Sequence, residues 1–238
     1  MKTLAAKISI LVLISVCLAF AAVVCSAESG SADKPAAAAT GFYAPVLEQY
    51  RTAINEHWDY EMLDDKGLCC LPALIDNAAD KIGFGFLKLD PDSPDCLVIA
   101  FIPEKEDVKR QYELLSVYAL GADKKPVLLL NGAERDSFIL CGNPKDGFTL
   151  AETGSNGAAE TDFIFWKVNG TKLVPVETIV YSGSADEKNP WFHAKDTDET
   201  DPAKMEHISE KDAQAVIDSY KPCTEDIDLT PLSYYPAP

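Results

Sequence analysis

Residues 161–181 read TDFIFWKVNGTKLVPVETIVY, and this stretch decides the fold. It holds two segments, 161–168 and 172–181, that are rich in β-branched and aromatic residues. Between them stands Asn169-Gly170, a hairpin signal, because glycine reaches the positive φ angles that tight hairpin turns require. The stretch therefore predicts two adjacent antiparallel strands.

Further strand-like segments precede this hairpin at short intervals. They are 82–89, 96–102, 111–120, 126–130, 136–141 and 147–151. Apolar residues at helical spacing predict helices at 43–58, 67–80 and 209–220. The acidic residues 184–206 are predicted to form a loop, and a short helix is an alternative at 104–111. The expected fold is α+β, with N-terminal helices, an antiparallel β-meander and a C-terminal helix.

The N-terminus carries an export signal. Lys2 and Lys7 accompany an uncharged apolar run at 8–27, which is typical of a secretory leader. Three outcomes stay open: cleavage after Ala27, lipid attachment at Cys25, or retention as an anchor, since the run approaches the roughly 20 residues of a membrane-spanning helix. Each outcome predicts a protein that is extracellular or displayed at the cell surface.

The chain after this leader (1–27) is predicted to have two parts. Residues 28–41 are small, polar and alanine-rich, as in a flexible tether, and residues 42–238 suffice for a single globular domain. The net charge is -17, and removing Lys2 and Lys7 gives -17 - 2 = -19. So acidic a chain repels phosphate backbones, so no nucleic acid partner is expected.

The cysteines point to buried thiols. Five follow the leader: Cys69, Cys70, Cys96, Cys141 and Cys223. Since the number is odd, at least one cysteine is unpaired within a monomer, and one disulfide remains possible. The absence of a C-x-x-C pair argues against structural zinc.

The acid-rich loop in KLDPDSPDCLVIAF (88–101) raises the question of calcium. Asp90, Asp92 and Asp95 are close in sequence, but an EF-hand starting at Asp90 would place Pro94 at position five and Phe101 at position twelve. Those positions require an oxygen ligand and a glutamate, so this is not an EF-hand.

Residues 82–100 resemble another pattern, the strand–loop–strand signature of an uncharacterised family of secreted and lipoprotein-type proteins from Gram-positive gut anaerobes. In that family an aromatic strand leads into a D-x-D-G-D-G loop that resembles a calcium loop. The matching residues here are Phe84, Phe86, Asp90, Asp92, Leu97, Val98 and Ile99, and the wider resemblance spans most of 43–193. It implies a fold and an exported location but no activity.

Three departures weaken the calcium reading of this loop. Lys88 stands at the first aspartate, Ser93 at a glycine and Cys96 at a glutamate. Calcium needs 6–8 oxygen ligands, and these changes remove carboxylates and the tight turn. We expect Asp90, Asp92 and Asp95 to form a metal-free turn, and we expect no cofactor.

Neither a catalytic centre nor a ligand is specified by the sequence. The three histidines, His57, His193 and His207, lie outside any recognised catalytic motif. The candidate ligand surface is Ser155, Asn156 and Trp166, because small polar residues beside aromatic rings bind sugars or peptides; the alternative is turn geometry over a core. We expect an exported, non-catalytic interaction or binding module, tethered through its N-terminus, with an extracellular glycan or peptide as candidate ligand. The alternative is an extracellular hydrolase acting on glycans or peptides.

Overall fold

The computed structural model describes residues 33–103, 111–155, 157 and 159–235, without the side chains of 33–40. Chain contacts divide it into two units, Met1–Ala37 and Ala38–Pro238. Of the first unit only the helical backbone of 33–37 is described. The predicted leader and nearly all of the segment 104–111 lie outside the described residues.

Four α-helices, three short 3₁₀ helices and eleven strands make up the described chain. The α-helices are α1 (Asp33–Asn55), α2 (Tyr60–Asp65), α3 (Ala78–Lys81) and α4 (Glu210–Ser219), and the 3₁₀ helices are Leu71–Leu74, Pro202–Lys204 and Leu232–Tyr234. The strands are β1 (Ile82–Leu87), β2 (Cys96–Phe101), β3 (Glu113–Leu120), β4 (Pro126–Asn131), β5 (Asp136–Asn143), β6 (Gly147–Ser155), β7 (Glu160–Asn169), β8 (Lys172–Ser182), β9 (Trp191–Lys195), β10 (Glu206–His207) and β11 (Thr230–Pro231).

The predicted α+β class is wrong, because one large antiparallel sheet dominates the molecule. Its eleven strands run in the order β10-β9-β8-β7-β6-β5-β3-β2-β1-β11, and β4 pairs with β3 beside this path. The helices also differ from those predicted: α1 is longer than the predicted 43–58, and the expected helix at 67–80 is replaced by the 3₁₀ turn at Leu71–Leu74 and the four-residue α3. Pro72 lacks the N–H that a continuous helix would need there.

The hairpin predicted around Asn169-Gly170 is confirmed. Strands β7 and β8 pair from Glu160 and Ser182 down to Asn169 and Lys172. Gly170 has a φ of 60°, which suits the first central residue of a tight hairpin turn. The turn thus sets the register of the longest strand pair in the sheet.

Three clusters of buried side chains hold the layers together. Helix α1 packs Tyr43, Leu47 and Tyr50 on one face of β1–β3. Apolar side chains of β2–β7, including Val98, Leu140 and Leu150, form the second cluster, which takes in Cys223 of the C-terminal segment. Helix α4 closes the third through Ala213, against Phe165 and Ile179 of the sheet.

The N-terminal helix begins inside the predicted tether. Its backbone is helical from Asp33, whereas residues 28–41 were expected to be an irregular linker and 28–32 lie outside the described part. The described side chains first become buried at Tyr43, which is 1% exposed. The flexible tether therefore stays a prediction. Within the described ranges, no helix combines the length and apolar character needed to cross a bilayer.

Candidate functional site

The acidic loop between β1 and β2 is organised around Asp90, which is only 7% exposed. Its Oδ2 accepts hydrogen bonds from the Ser93 hydroxyl at 2.6 Å and from the Gly170 N–H at 2.7 Å. Its Oδ1 accepts one from the Asp92 N–H at 3.0 Å. These bonds, that from Ser93 foremost, lower the pKa of Asp90. Asp90 thus serves as an acceptor for the loop and for the β7–β8 turn.

The other polar groups of the loop do not converge on one point. Lys88 lies with its Nζ 3.7 Å from Oδ1 of Asp95 and donates to the carbonyl of Ser93. The carbonyl of Asp95 accepts from the Tyr43 hydroxyl at 2.9 Å. In the described part of the chain, no three His, Cys, Asp or Glu side chains are grouped to hold a metal ion. The metal-free loop stays a prediction.

The candidate ligand surface predicted from Ser155, Asn156 and Trp166 is not one continuous site in the described residues. Ser155 ends β6 opposite Thr161, while Trp166 pairs with Leu150, roughly 16 Å along the strands at about 3.3 Å per residue. Asn156 lies outside the described residues. The Trp166 indole donates to Oε2 of Glu152 at 2.7 Å, so its polar edge is engaged within the sheet.

Two half-buried carboxylates, Glu152 and Asp162, lie on the neighbouring strands β6 and β7, and the sequence prediction missed them. Burial raises the pKa of Glu152, and burial together with the charge of Asp136 raises that of Asp162. The Asp162 carboxylate lies over Gly154, where a β-carbon would stand 2.5 Å from Oδ2. Because Gly154 has no β-carbon, the Asp162 carboxylate fits at this position. The cross-strand register that brings these acids together was not readable from sequence.

A second polar cluster fixes α4 to the sheet. His193 Nε2 lies 2.8 Å from Oε2 of Glu177, and the Tyr220 hydroxyl donates to the other carboxylate oxygen. The Tyr220 ring stacks on Phe165 with centroids 3.7 Å apart. Both oxygens of Glu177 are therefore used inside the fold, which is what a structural bridge between β8, β9 and α4 requires.

A large cavity lies elsewhere, at the C-terminal end of α1. We call it the α1–α3 cleft; it has a volume of about 730 Å³ between α1, α2 and the segment 71–80. Its walls include Ile54, His57, Trp58, Leu74, Asp76 and Asp80. Cavities of 300–1,000 Å³ with apolar walls and a few polar groups are typical of ligand sites.

Local sequence explains how the cleft opens. Helix α1 ends at Asn55, His57 turns the chain with a φ of 53°, and the Trp58 N–H returns to the carbonyl of Ala53 at 2.9 Å. The opposite wall turns at Asn77, whose φ is 58° just before α3. Non-glycine residues with a positive φ are uncommon, and they cluster at functional sites.

Hydrogen bonds fix the Trp58 indole and the start of α2 beside the cleft. The Trp58 indole, half-buried, donates to Oε2 of Glu56 at 3.0 Å, and the Asp59 side chain caps α2 through the Met62 N–H at 2.9 Å. The segment 53–81 contains seven acids and two lysines, a charge of 2 - 7 = -5. Among the described residues, the cleft lining contains two aspartates and no lysine or arginine. It therefore presents an apolar surface with a negative field.

Sequence reasoning missed this cleft because it treated 67–80 as one helix. Pro72 and the pair Asp76-Asn77 were the available signals, since both mark chain turns. From its sequence context His57 belongs to no recognised catalytic motif, whereas the structure places it in the cleft wall. His193 and His207 are elsewhere, the latter with its ring 4.3 Å from that of Phe192.

All five cysteines after the leader are free thiols, and all but Cys70 are buried. Burial raises the pKa of Cys69, Cys96 and Cys141 to about 12. The expectation of buried thiols is confirmed for these positions. The disulfide that the sequence left open is not formed among them.

No protein family matches the chain, and comparisons with curated proteins and with solved structures find no match. The family resemblance of residues 43–193 stays a prediction.

Proposed function

We propose that this protein is an exported, non-catalytic binding module whose ligand site is the α1–α3 cleft. The observation that carries the proposal is the combination, in one cavity of about 730 Å³, of the half-buried Trp58 with apolar walls and two aspartates. An aromatic ring and apolar walls supply contact area, and a few polar groups orient a ligand.

The leader supports an extracellular setting for this module. An uncharged run at 8–27 behind Lys2 and Lys7 is what a secretory signal requires, and the net charge of -17 suits a solvated extracellular domain. Fractionation of cells that produce a tagged protein tests this part. Recovery in the medium or at the cell surface is expected, and recovery only in the cytoplasm would contradict it.

The hydrolase alternative would need His193 in a cleft with carboxylates. His193 is instead bonded to Glu177, which Tyr220 also holds, and none of the three lines the α1–α3 cleft. We therefore favour binding over hydrolysis.

The test is binding to glycan and peptide arrays with the cleft open and blocked. Ala73 is exposed in the cleft wall, so Ala73→Trp fills the cavity with little disturbance of the core. We expect array ligands of the natural protein to bind Ala73→Trp at least tenfold more weakly. The matched control, Val174→Trp on the exposed face of β8, should bind them normally. Equal binding by the blocked variant would contradict the proposal.

A further inference from the structure

Resting on the proposed function, we infer that the α1–α3 cleft binds a peptide segment in which a lysine or arginine stands beside a large apolar side chain. The inference depends on charge complementarity and on the kind of apolar surface that the cleft offers. Each of these distinguishes a basic, apolar peptide from the other ligands that the cavity has room for.

The charge of the cleft favours a cationic ligand. Asp76 and Asp80 are exposed and line the cavity, and Glu56 stands at the edge of Trp58. The nearest lysines in sequence, Lys66 and Lys81, are not part of the lining. Like charges repel and opposite charges attract over about 10 Å at moderate salt, so an anionic ligand is disfavoured across the whole cleft.

The apolar surface favours a peptide over a glycan. Leu74 is 59% exposed, and the half-buried Ile54 and Ile75 add aliphatic surface beside the Trp58 indole. Aliphatic walls gain free energy by covering apolar side chains, whereas sugar hydroxyls would lose hydration against them. A peptide could place a leucine or phenylalanine on the aliphatic wall and an adjacent cation near the aspartates or over the indole face. Such a peptide matches both the apolar surface and the negative charge of the cleft.

The three tryptophans of the chain provide a direct readout. They are Trp58, Trp166 and Trp191, so ¹⁵N-labelled protein should give three indole N–H signals, and Trp58→Phe assigns one of them. Only Trp58 lies in the cleft. The probes are acetyl-Leu-Lys-Phe-Lys-amide, its counterpart acetyl-Leu-Glu-Phe-Glu-amide, and chitotetraose, each added to millimolar concentration.

We expect the lysine peptide to shift the Trp58 signal and to bind at least tenfold more tightly than the glutamate peptide. Its affinity should fall about threefold for Asp76→Asn and again for Asp80→Asn, as for exposed ion pairs, and should fall further at 0.5 M salt. Asp146→Asn, in the exposed β5–β6 turn, should leave the affinity unchanged.

The outcomes separate this inference from the proposed function. If the glutamate peptide binds equally well, or if chitotetraose alone shifts Trp58, the basic-peptide inference fails while the cleft remains a ligand site. If no probe shifts Trp58, both the inference and the cleft as a ligand site are overturned.

Discussion

The backbone N–H of Gly170 donates a 2.7 Å hydrogen bond to Oδ2 of Asp90, 80 residues earlier in the chain. One partner lies in the acid-rich loop and the other in the turn of the longest hairpin. The bond joins the buried Asp90 side chain to a turn that is remote in sequence. The Asp90 carboxylate already has three protein donors, counting those of Asp92 and Ser93.

Removing the Asp90 carboxylate should destabilise the fold. Asp90→Ala leaves the N–H of Gly170 without its acceptor, and we expect the Tm to fall by at least about 3 °C. Asp92→Ala, whose exposed side chain is not an acceptor for these donors, is the matched control. Thermal unfolding followed by circular dichroism measures both, and an equal effect of the two changes would refute the structural role of Asp90.

Asp90 should also make the stability of the fold depend on pH in the acid range. Its pKa is lower in the folded state than in the unfolded state, where it is near the ordinary value of 3.8. The unfolded state then binds more protons, so the stabilisation is present above the unfolded pKa and disappears as the pH falls through the folded pKa. Urea unfolding between pH 2 and 6 should therefore show a steeper loss in the natural protein than in Asp90→Ala.

Calcium should leave the Tm unchanged. Lys88 and Ser93 make hydrogen bonds within the loop, and a calcium ion would have to displace these bonds. Binding at a hundred times the dissociation constant would contribute about 2.7 kcal/mol, which is easily seen. A shift of several degrees in millimolar calcium, reversed by EDTA and abolished by Asp90→Ala with Asp92→Ala, would show that the loop holds metal after all.

The carboxyl group of Asp162 should have the opposite pH dependence from Asp90. Its pKa is raised from 3.8, so the native state retains protons longer than the unfolded state, and stability falls as the pH rises from about 3.8 through the raised value. Asp162→Asn should raise the Tm at pH 7 by a few degrees but have little effect near pH 3. Glu187→Gln, an exposed acid on a loop, should change neither. A Tm gain of equal size at both pH values would show that charge is not the cause.

The thiols should react slowly in the native protein. Cys69, Cys96, Cys141 and Cys223 are buried, and for the first three burial raises the pKa to about 12, so little thiolate is available. With Ellman's reagent at pH 8, we expect at most one of the five cysteines after the leader, Cys70, to react within minutes. Denaturation should expose all five. Rapid native labelling of three or more would contradict the described packing.

Local patterns predicted individual elements better than their assembly. Alternating and β-branched residues marked β1–β8, Asn169-Gly170 marked the hairpin, and Ser209 marked the start of α4. Strands β9, β10 and β11 were missed because they span only five, two and two residues, which carry too little pattern. Of these three, β11 alone pairs with a strand remote in sequence, β1. The joining of all eleven strands into one sheet depends on cross-strand pairing, which the periodicity of a single segment does not report.

The candidate site was the least predictable part of the molecule. The cleft exists because α1 stops at Asn55 and because Pro72 divides the next segment, so that Trp58 and Leu74 face one cavity. Neither event creates a motif. The half-buried Glu152 and Asp162 likewise meet only through the register of β6 and β7.

A fragment screen by NMR tests, without assuming a ligand, whether the α1–α3 cleft is the ligand site. Several hundred small fragments would be added to ¹⁵N-labelled protein while the three indole signals are followed. We predict that fragments acting on the indoles will mostly shift Trp58, and that Ala73→Trp will abolish those shifts. Hits that favour Trp166 or Trp191, or Trp58 shifts that survive in Ala73→Trp, would contradict the account.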